Sequence, residues 1–455
     1  EGMETVGLFL VIAFAGGYAV RALGLPPMLG FLLAGFALAA GGQTAPEALH
    51  VLAGLGVTLF VFAVGLKLDV SQLLRREVWL TATTHTALMV LVGVGVLLVP
   101  ATLGLGAVAG LPLRTIALIS FALSFSSTVF VVKLLEDRNE MRSRYGQIAI
   151  GVLVMQDLIA VGFVAVASGK GPSIWAVTLL LLIPARHLFG WVLARIGHKE
   201  LLIVFGAMMA LVPGYLLFDS VGVKGDLGAI VMGILLASHP NAGDLGKALF
   251  SIKELLLVAF FLSIGLEGLP TWMEVATALG VLVLLPLQTV AYVWLISLMG
   301  MRRRTAVLAG LVLSNNSEFG LIVASTAVAA GMLEPSWLTT ISVAVALSFL
   351  VAALANMRAE PLADAIAARW PDPDPDRLDP AERPIPLHDV DVLVLGLGRI
   401  GQSAYRRLDE QGLHVLGVEH DARRCETLRE DGIRVIEGDA SDTGLWRRLQ
   451  AVRTL

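Results

Sequence analysis

The chemistry in this chain starts with a carboxylate in an apolar setting. Asp157 follows Gln156 in VLVMQDLIAV (152–161), a stretch otherwise hydrophobic. Burial disfavours the charged form of a carboxyl group, so Asp157 is suited to take up a proton. A monovalent cation can replace that proton by neutralising the same charge, so one site can hold either ion but not both. Two further clusters offer oxygens in equally apolar surroundings. LSFSST (123–128) supplies Ser124, Ser127 and Thr128, and LSNNSE (313–318) supplies Ser314, Asn315, Asn316, Ser317 and Glu318. Such clusters are expected to unwind their helices, so that half-helix ends turn amides and carbonyls towards an ion. Glu318 would either bind that ion or compensate the half-helix dipoles. Two blander readings stay open: hydroxyls back-bonding inside intact helices, and a structural pair between Asp157 and Arg186.

These residues need membrane-spanning elements to hold them. Of the 455 residues 56 % are hydrophobic and 15 % charged, with mean hydropathy +0.79. Soluble domains carry about 25 % charged residues, so an integral membrane protein in a lipid bilayer is expected. Apolar runs predict thirteen helices, near 4–22, 27–42, 50–66, 78–101, 112–134, 146–168, 174–197, 200–218, 225–238, 246–266, 271–299, 304–331 and 336–357. The first is expected to stay as a span rather than be cleaved. Sixteen of the twenty Lys and Arg residues up to Arg358 then fall on one side, three on the other (Arg114, Lys170, Lys224), and Arg186 lies within a span. By the positive-inside rule the N-terminus is outside and the C-terminal part cytoplasmic. A net charge of −4 gives no reason to expect nucleic acid, and the single Cys425 allows no intrachain disulfide.

The membrane halves resemble each other. LGFLLAGFALA (29–39) matches LGAIVMGILLA (227–237), VFAVGLK (61–67) matches FLSIGLE (261–267), and LSFSST matches LSNNSE. Each match pairs helix n with helix n+7, and an odd shift reverses the direction of crossing. The repeats are therefore expected to be inverted, a ground plan of secondary transporters.

Composition changes near Arg358. Residues 359–388 read as a linker, since ARWPDPDPDRLDPAERPIP (368–386) is rich in Pro and Asp and reads as stiff and solvated. Residues 389–455 read as the start of a Rossmann-like α/β unit. DVLVLGLGRIG (391–401) is a strand running into G-x-G-x-x-G, with Gly396, Gly398 and Gly401 opening a helix. Glu419 ends the next strand, the position of an acid for ribose hydroxyls. Arg399 and Ile400 sit where phosphate would approach the helix start. The chain ends about 65 residues into a fold of about twice that length, so only its N-terminal part is expected here.

Taken with LGFLLAG, VFAVGLKLD, ALSFSSTVFVVKLL, FSIKELLLVAFFLSIG and LSNNSEFGLIV, the chain resembles the Kef-type potassium-efflux branch of the cation:proton antiporter-2 family. EGDAS (437–441), with Asp439, resembles the adenine-side loop of potassium-transport nucleotide-binding (KTN, or RCK) domains. The resemblance implies an all-α, NhaA-like membrane fold with two crossing broken helices, followed by the partial α/β domain. It implies a homodimer in a bacterial inner membrane, with helices 4–6 and 11–13 moving as an elevator against helices 1–3 and 8–10. It also implies Asp157 as the ion and proton site, holding K⁺ (or Na⁺), and a regulatory NAD(H) or AMP but no catalytic cofactor. Relatives with two adjacent aspartates are generally electrogenic, so Gln156 implies 1:1 electroneutral K⁺/H⁺ exchange. The helix-11 lysine of many sodium exchangers is absent here, with only Gln288 in that span, and Asp226 stands at an N-cap where the family is apolar. Sodium/proton exchange and a ligand-gated K⁺ channel are the alternatives. A membrane nicotinamide dehydrogenase or transhydrogenase is more remote, because no His or Cys ligand cluster is evident.

Overall fold

A computed structural model of the chain describes residues 2–23, 27–66, 75–167, 173–197, 199–223, 225–266, 269–385, 387, 389–440 and 443–450. It divides into two compact units. One comprises residues 1–134, 149–292 and 310–359, and the other residues 135–148, 293–309 and 360–455.

The first unit is helical. In chain order come α1 (Gly2–Ala22), α2 (Pro27–Ala40), α3 (Glu47–Gly65), α4 (Arg76–Thr102), α5 (Leu113–Ala122), α6 (Thr128–Asp137) and α7 (Arg144–Ala167). A 3₁₀ segment (Ile174–Leu181) leads into α8 (Leu182–Leu193). Next is α9 (Lys199–Met209), which continues through a π-helical segment (Ala210–Leu216) around Pro213. Then follow α10 (Gly225–Ala237), α11 (Ala242–Leu266), α12 (Trp272–Val281), α13 (Leu284–Leu298), α14 (Arg303–Leu313), α15 (Glu318–Ala329) and α16 (Ser336–Asn356). Helix therefore covers most of every apolar segment read from the sequence. Six described helices are long and apolar enough to cross a membrane alone, seven if the bent α11 counts as one span, and five more are shorter apolar helices. The polar clusters divide two of the expected spans, leaving α5 and α6 as one interrupted pair and α14 and α15 as another.

Glycine sets the closest approaches. Gly35 of α2 faces Gly265 of α11, and Gly65 of α3 faces Gly233 of α10, each so near that a Cβ would collide with opposing backbone. Gly16 and Gly30 make the same approach between α1 and α2, as do Gly214 and Gly228 after α9. Small residues let helices pack by van der Waals contact where hydrophobic burial gives no drive. The packing is also grouped: α2, α3, α10 and α11 interlock, whereas α5 packs on α4 and α15, and α16 on α12 and α15.

The second unit holds α17 (Ala359–Arg369) and a three-stranded parallel sheet, β1 (Val392–Leu395), β2 (Val415–Glu419) and β3 (Val435–Glu437), in the order β1-β2-β3. Helices α18 (Arg399–Glu410), α19 (Ala422–Glu430) and α20 (Thr443–Gln450) alternate with the strands. Most of the Pro/Asp-rich stretch is exposed, as expected, but it is anchored at a few points within this unit. Leu378, Glu382 and Ile385 are buried, and Asp379 caps a short 3₁₀ turn that starts with Pro380. The proline-rich segment is pre-ordered, so it has little entropy to lose on docking. Arginines 144, 302 and 304 supply the opposite charge: Arg144 pairs with Asp379 at 3.3 Å, Arg302 with Asp372 at 3.3 Å and Arg304 with Asp364 at 3.1 Å.

Candidate functional site

Both polar clusters interrupt their helices. α5 stops at Ala122 and α6 begins at Thr128; α14 stops at Leu313 and α15 begins at Glu318. A serine caps each resumed helix: Ser127 Oγ accepts from Phe130 N (3.2 Å), and Ser317 Oγ accepts from Phe319 N (3.0 Å). These bonds meet some of the amides that a helix start leaves without partners.

The interruptions bond directly to each other. Ser127 N donates to Asn315 Oδ1 at 2.7 Å, and Ser126 Oγ donates to the Leu313 carbonyl at 2.6 Å. Side chains of the following spans fix each break. Gln156 Oε1, on α7, accepts from Ser126 N at 3.1 Å; Ser348 Oγ, on α16, accepts from Asn316 N at 2.9 Å. Thr128 Oγ1 donates to Asp157 Oδ2 at 3.0 Å, and both residues are buried. The structure thus gathers Gln156, Asp157, Ser127, Thr128 and Asn315 in one network. Ser124 is adjacent but its hydroxyl back-bonds to Phe121 O (2.8 Å), which is the blander reading for that residue. The side chains of Glu318 and Asp226, together with Lys67, Lys170, Lys224 and Ser441, lie outside the described residues. Arg186 is exposed on α8 while Asp157 is buried, so the proposed structural pair does not form.

Four members of the site were missed. Ser126 lies in the cited cluster yet was passed over for its neighbours. Tyr292 hydroxyl bonds Gln156 Nε2 (2.9 Å) and Ser126 Oγ (3.0 Å). Gln288 Nε2 donates to Ser126 Oγ at 3.1 Å and so ties α13 to the break. His85 of α4 stacks on Tyr292 with centroids 3.4 Å apart and planes 7° from parallel. A signal existed for His85, an ionisable residue within an apolar span; a lone tyrosine or glutamine gives a weaker one.

The geometry is that of a buried carboxylate beside two opposed helix breaks. A scan of family models matches "Sodium/hydrogen exchanger, transmembrane" over residues 9–356. The chain belongs to the sodium/hydrogen exchanger family. Members transport ions across membranes, so the dehydrogenase reading is set aside. A second model, the TrkA-N domain, matches residues 392–454 of this exchanger. It is similar to the glutathione-regulated potassium-efflux system protein KefC of Salmonella schwarzengrund, with 31 % identity over 93 % of this chain and 69 % of the relative. KefC of Escherichia coli O7:K1 gives the same identity and shares. The exchanger is a Kef-type member on these grounds. Its fold also matches the sodium proton antiporter MjNhaP1 of Methanocaldococcus jannaschii, with TM-score 0.55, 15 % identity, and coverage of 79 % of this chain and 97 % of that one.

The α/β domain fits a nucleotide phosphate. Gly396 has φ +81°, and a Cβ on Gly401 would strike the Gly396 carbonyl, so the loop passes tightly over the helix start. Gly398 caps α18 with open space above it, leaving the amides that start with Arg399 and Ile400 without a side-chain cap. Glu419 is buried, and its carboxylate accepts from Leu397 N (2.8 Å), His420 N (2.9 Å) and Asp421 N (3.2 Å). Burial opposes ionisation there, but these backbone donors hold the carboxyl below its ordinary value. Glu419 therefore braces the glycine loop. Asp439 follows β3.

Proposed function

We propose that the chain is a K⁺/H⁺ antiporter that couples potassium efflux to proton entry at 1:1 stoichiometry. The observation that carries this reading is the buried carboxylate of Asp157, hydrogen-bonded through Thr128 to one of two opposed helix breaks. Proton and cation compete for that charge, which is the minimum requirement for obligatory exchange. Gln156 presents an amide, so one charge per cycle is neutralised. Potassium is favoured because the chain is similar to proteins named for potassium efflux over nearly its whole length.

The wider architecture of the proposal is thirteen spans in two inverted repeats. Its support is that the glycine contacts recur with the repeat. Residues 16, 30 and 35 shifted by 198 become 214, 228 and 233, and 65 shifted by 200 becomes 265. The packing groups seen in the fold would be the parts of an elevator, with α2, α3, α10 and α11 in the static scaffold of a homodimer. The membrane domain would span 1–358, the linker 359–388 and the regulatory domain 389–455. In a bacterial inner membrane the N-terminus would lie outside and the regulatory domain in the cytoplasm. Gly396, Gly398, Arg399, Ile400, Gly401, Glu419 and Asp439 would hold NAD(H) or AMP, whose phosphate would add charge at the start of α18.

The test is proton flux in proteoliposomes, driven separately by K⁺ and Na⁺ gradients with and without a voltage clamp. Flux should follow K⁺, ignore voltage, and fall at least 100-fold in Asp157→Asn. Full exchange in that variant would overturn the mechanism. Preference for Na⁺ would reassign the ion, and K⁺ flux indifferent to a pH gradient would indicate a channel.

A further inference from the structure

We infer that one face of α4, bearing Glu77, Thr81 and His85, lines a hydrated proton path from the Arg75 end of the helix to the Gln156–Asp157 pair. This rests on the exchange reading and adds a route and a relay residue to it. The three residues recur at four-residue spacing and so share one face, rising about 12 Å over two turns. All are buried, with exposures of 8 %, 1 % and 0 %. Glu77 marks the outer end, 3.8 Å from the half-exposed Arg75. His85 marks the inner end, lying flat on Tyr292, whose hydroxyl bonds Gln156.

What sets this face apart is its polar atoms. Thr81 Oγ1, both ring nitrogens of His85 and, from α13, Gln288 Oε1 are buried without a well-formed hydrogen bond among the described residues. The main-chain carbonyl of Gln288 is near the imidazole, which places α13 opposite this face. Helical threonines in an apolar span ordinarily return their hydroxyl to a preceding carbonyl. Thr83 on the same helix does so, to Trp79 O at 2.8 Å, as does Thr289 to Leu285 O at 3.0 Å. Thr81 does not. Buried polar groups are almost always satisfied, and a run of several converging ones is the setting that holds internal water. The ionisable groups along the run are Glu77 and Arg75 on α4, Tyr292 on α13 and Asp157 on α7. His85 can accept a proton on one ring nitrogen while releasing one from the other, so the relay changes only N–H and O–H bonds.

The experiment uses the full chain in liposomes. Its native Cys425 is buried and, chiefly through that burial, its thiol is pushed up to about 11, so it stays silent to thiol reagents. Thr81→Cys and His85→Cys should react with Ag⁺ and with a cationic methanethiosulfonate at least tenfold faster than Thr84→Cys, on the exposed side of α4. His85→Phe, which retains an aromatic face against Tyr292, should lower K⁺-driven proton flux about tenfold while K⁺-dependent thermal stabilisation stays within twofold. Reactivity no greater than that of Thr84→Cys would overturn the path. Unchanged flux in His85→Phe, or a matching loss of the K⁺ response, would overturn the relay. The labelling does not depend on transport, so retained exchange in Asp157→Asn would sink the antiport reading and leave the hydrated face standing.

Discussion

The two helix breaks have matching backbones and different chemistry. Shifting by 190 residues carries Ser127 onto Ser317, and both cap the helix that resumes. The same shift carries Ser126 onto Asn316, and in each case the backbone amide is held by a side chain from the next span. The equivalence stops there. The first break is served by Gln156, with Asp157 beside it and Tyr292 behind; the second is served by Ser348, in an apolar stretch with no carboxylate. On the proposed mechanism the first break carries the titrating charge at Asp157, while the described side chains that hold the second break are neutral.

The sharpest way to break this comparison is to remove the two equivalent acceptors. Gln156→Ala leaves Ser126 N without its acceptor and removes a partner of the Tyr292 hydroxyl. Stranding that amide costs about 1–3 kcal/mol and the lost Tyr292 bond about 1 kcal/mol more, so the variant should lose roughly 2–4 kcal/mol and reduce exchange at least 30-fold. Ser348→Ala strands one amide, for about 1–3 kcal/mol, and should leave exchange within about threefold because the Gln156–Asp157 pair keeps its bonds. Thermal unfolding and flux measured on the same preparations check both. Equal losses of flux would mean that the breaks share the chemistry after all.

A smaller effect isolates the carboxylate. Thr128→Val deletes the donor to Asp157 Oδ2 while keeping its volume nearly constant, so stability should change by about 1 kcal/mol. On the proposed mechanism the hydroxyl is a donor to the carboxylate that binds the cation. Half-saturating K⁺ should therefore rise about fivefold with maximal flux retained, read from flux against K⁺ concentration. An unchanged K⁺ dependence would remove Thr128 from the site. Smaller again is the cap pair: Ser127→Ala and Ser317→Ala should each cost about 1 kcal/mol in thermal unfolding. A cost confined to one of them would show that the frames are less alike than their hydrogen bonds.

These residues also show how far the sequence could be read. The breaks were legible because hydroxyl and amide clusters in an apolar run have no other economical fate. Asp157 was legible because an ionisable group in hydrocarbon is costly. The division of labour inside the clusters was not. Nothing in LSFSST distinguishes the capping Ser127 from Ser126, which bridges three elements, since that depends on which way each side chain leaves an irregular backbone. Tyr292 and Gln288 were hidden because their importance comes from non-local contacts. The anchoring of the proline-rich segment was hidden for a similar reason: its composition reads as solvated, and most of it is exposed, but the arginines that hold it come from residues 144 and 302–304, far away in the chain.

That docking gives the subtlest difference between the helices serving the two breaks. α7, which carries Asp157, begins at Arg144, bound by Asp379. α14, which leads into the second break, begins at Arg303; there Thr305 Oγ1 donates to Glu382 at 2.8 Å and Arg302 N donates to the same oxygen at 3.3 Å. Burial raises the pKa of Glu382 above the ordinary glutamate value, with the Thr305 bond and the charges of Arg144 and Arg448 opposing it. A folded value above the unfolded one means that its contribution is fully present below the unfolded pKa and is lost as pH rises through the folded value. Thermal unfolding of the wild type should thus weaken relative to Glu382→Gln as pH climbs from the ordinary glutamate range through that raised value. The amide keeps an acceptor for Thr305 without gaining charge. Hydrogen exchange over residues 302–308 should track the same difference, whereas the segment around Arg144 should follow it only weakly, because its direct partner is Asp379. Parallel pH profiles for wild type and Glu382→Gln would show that the start of α14 is held by the arginine pairs alone, with the titration of Glu382 playing no part.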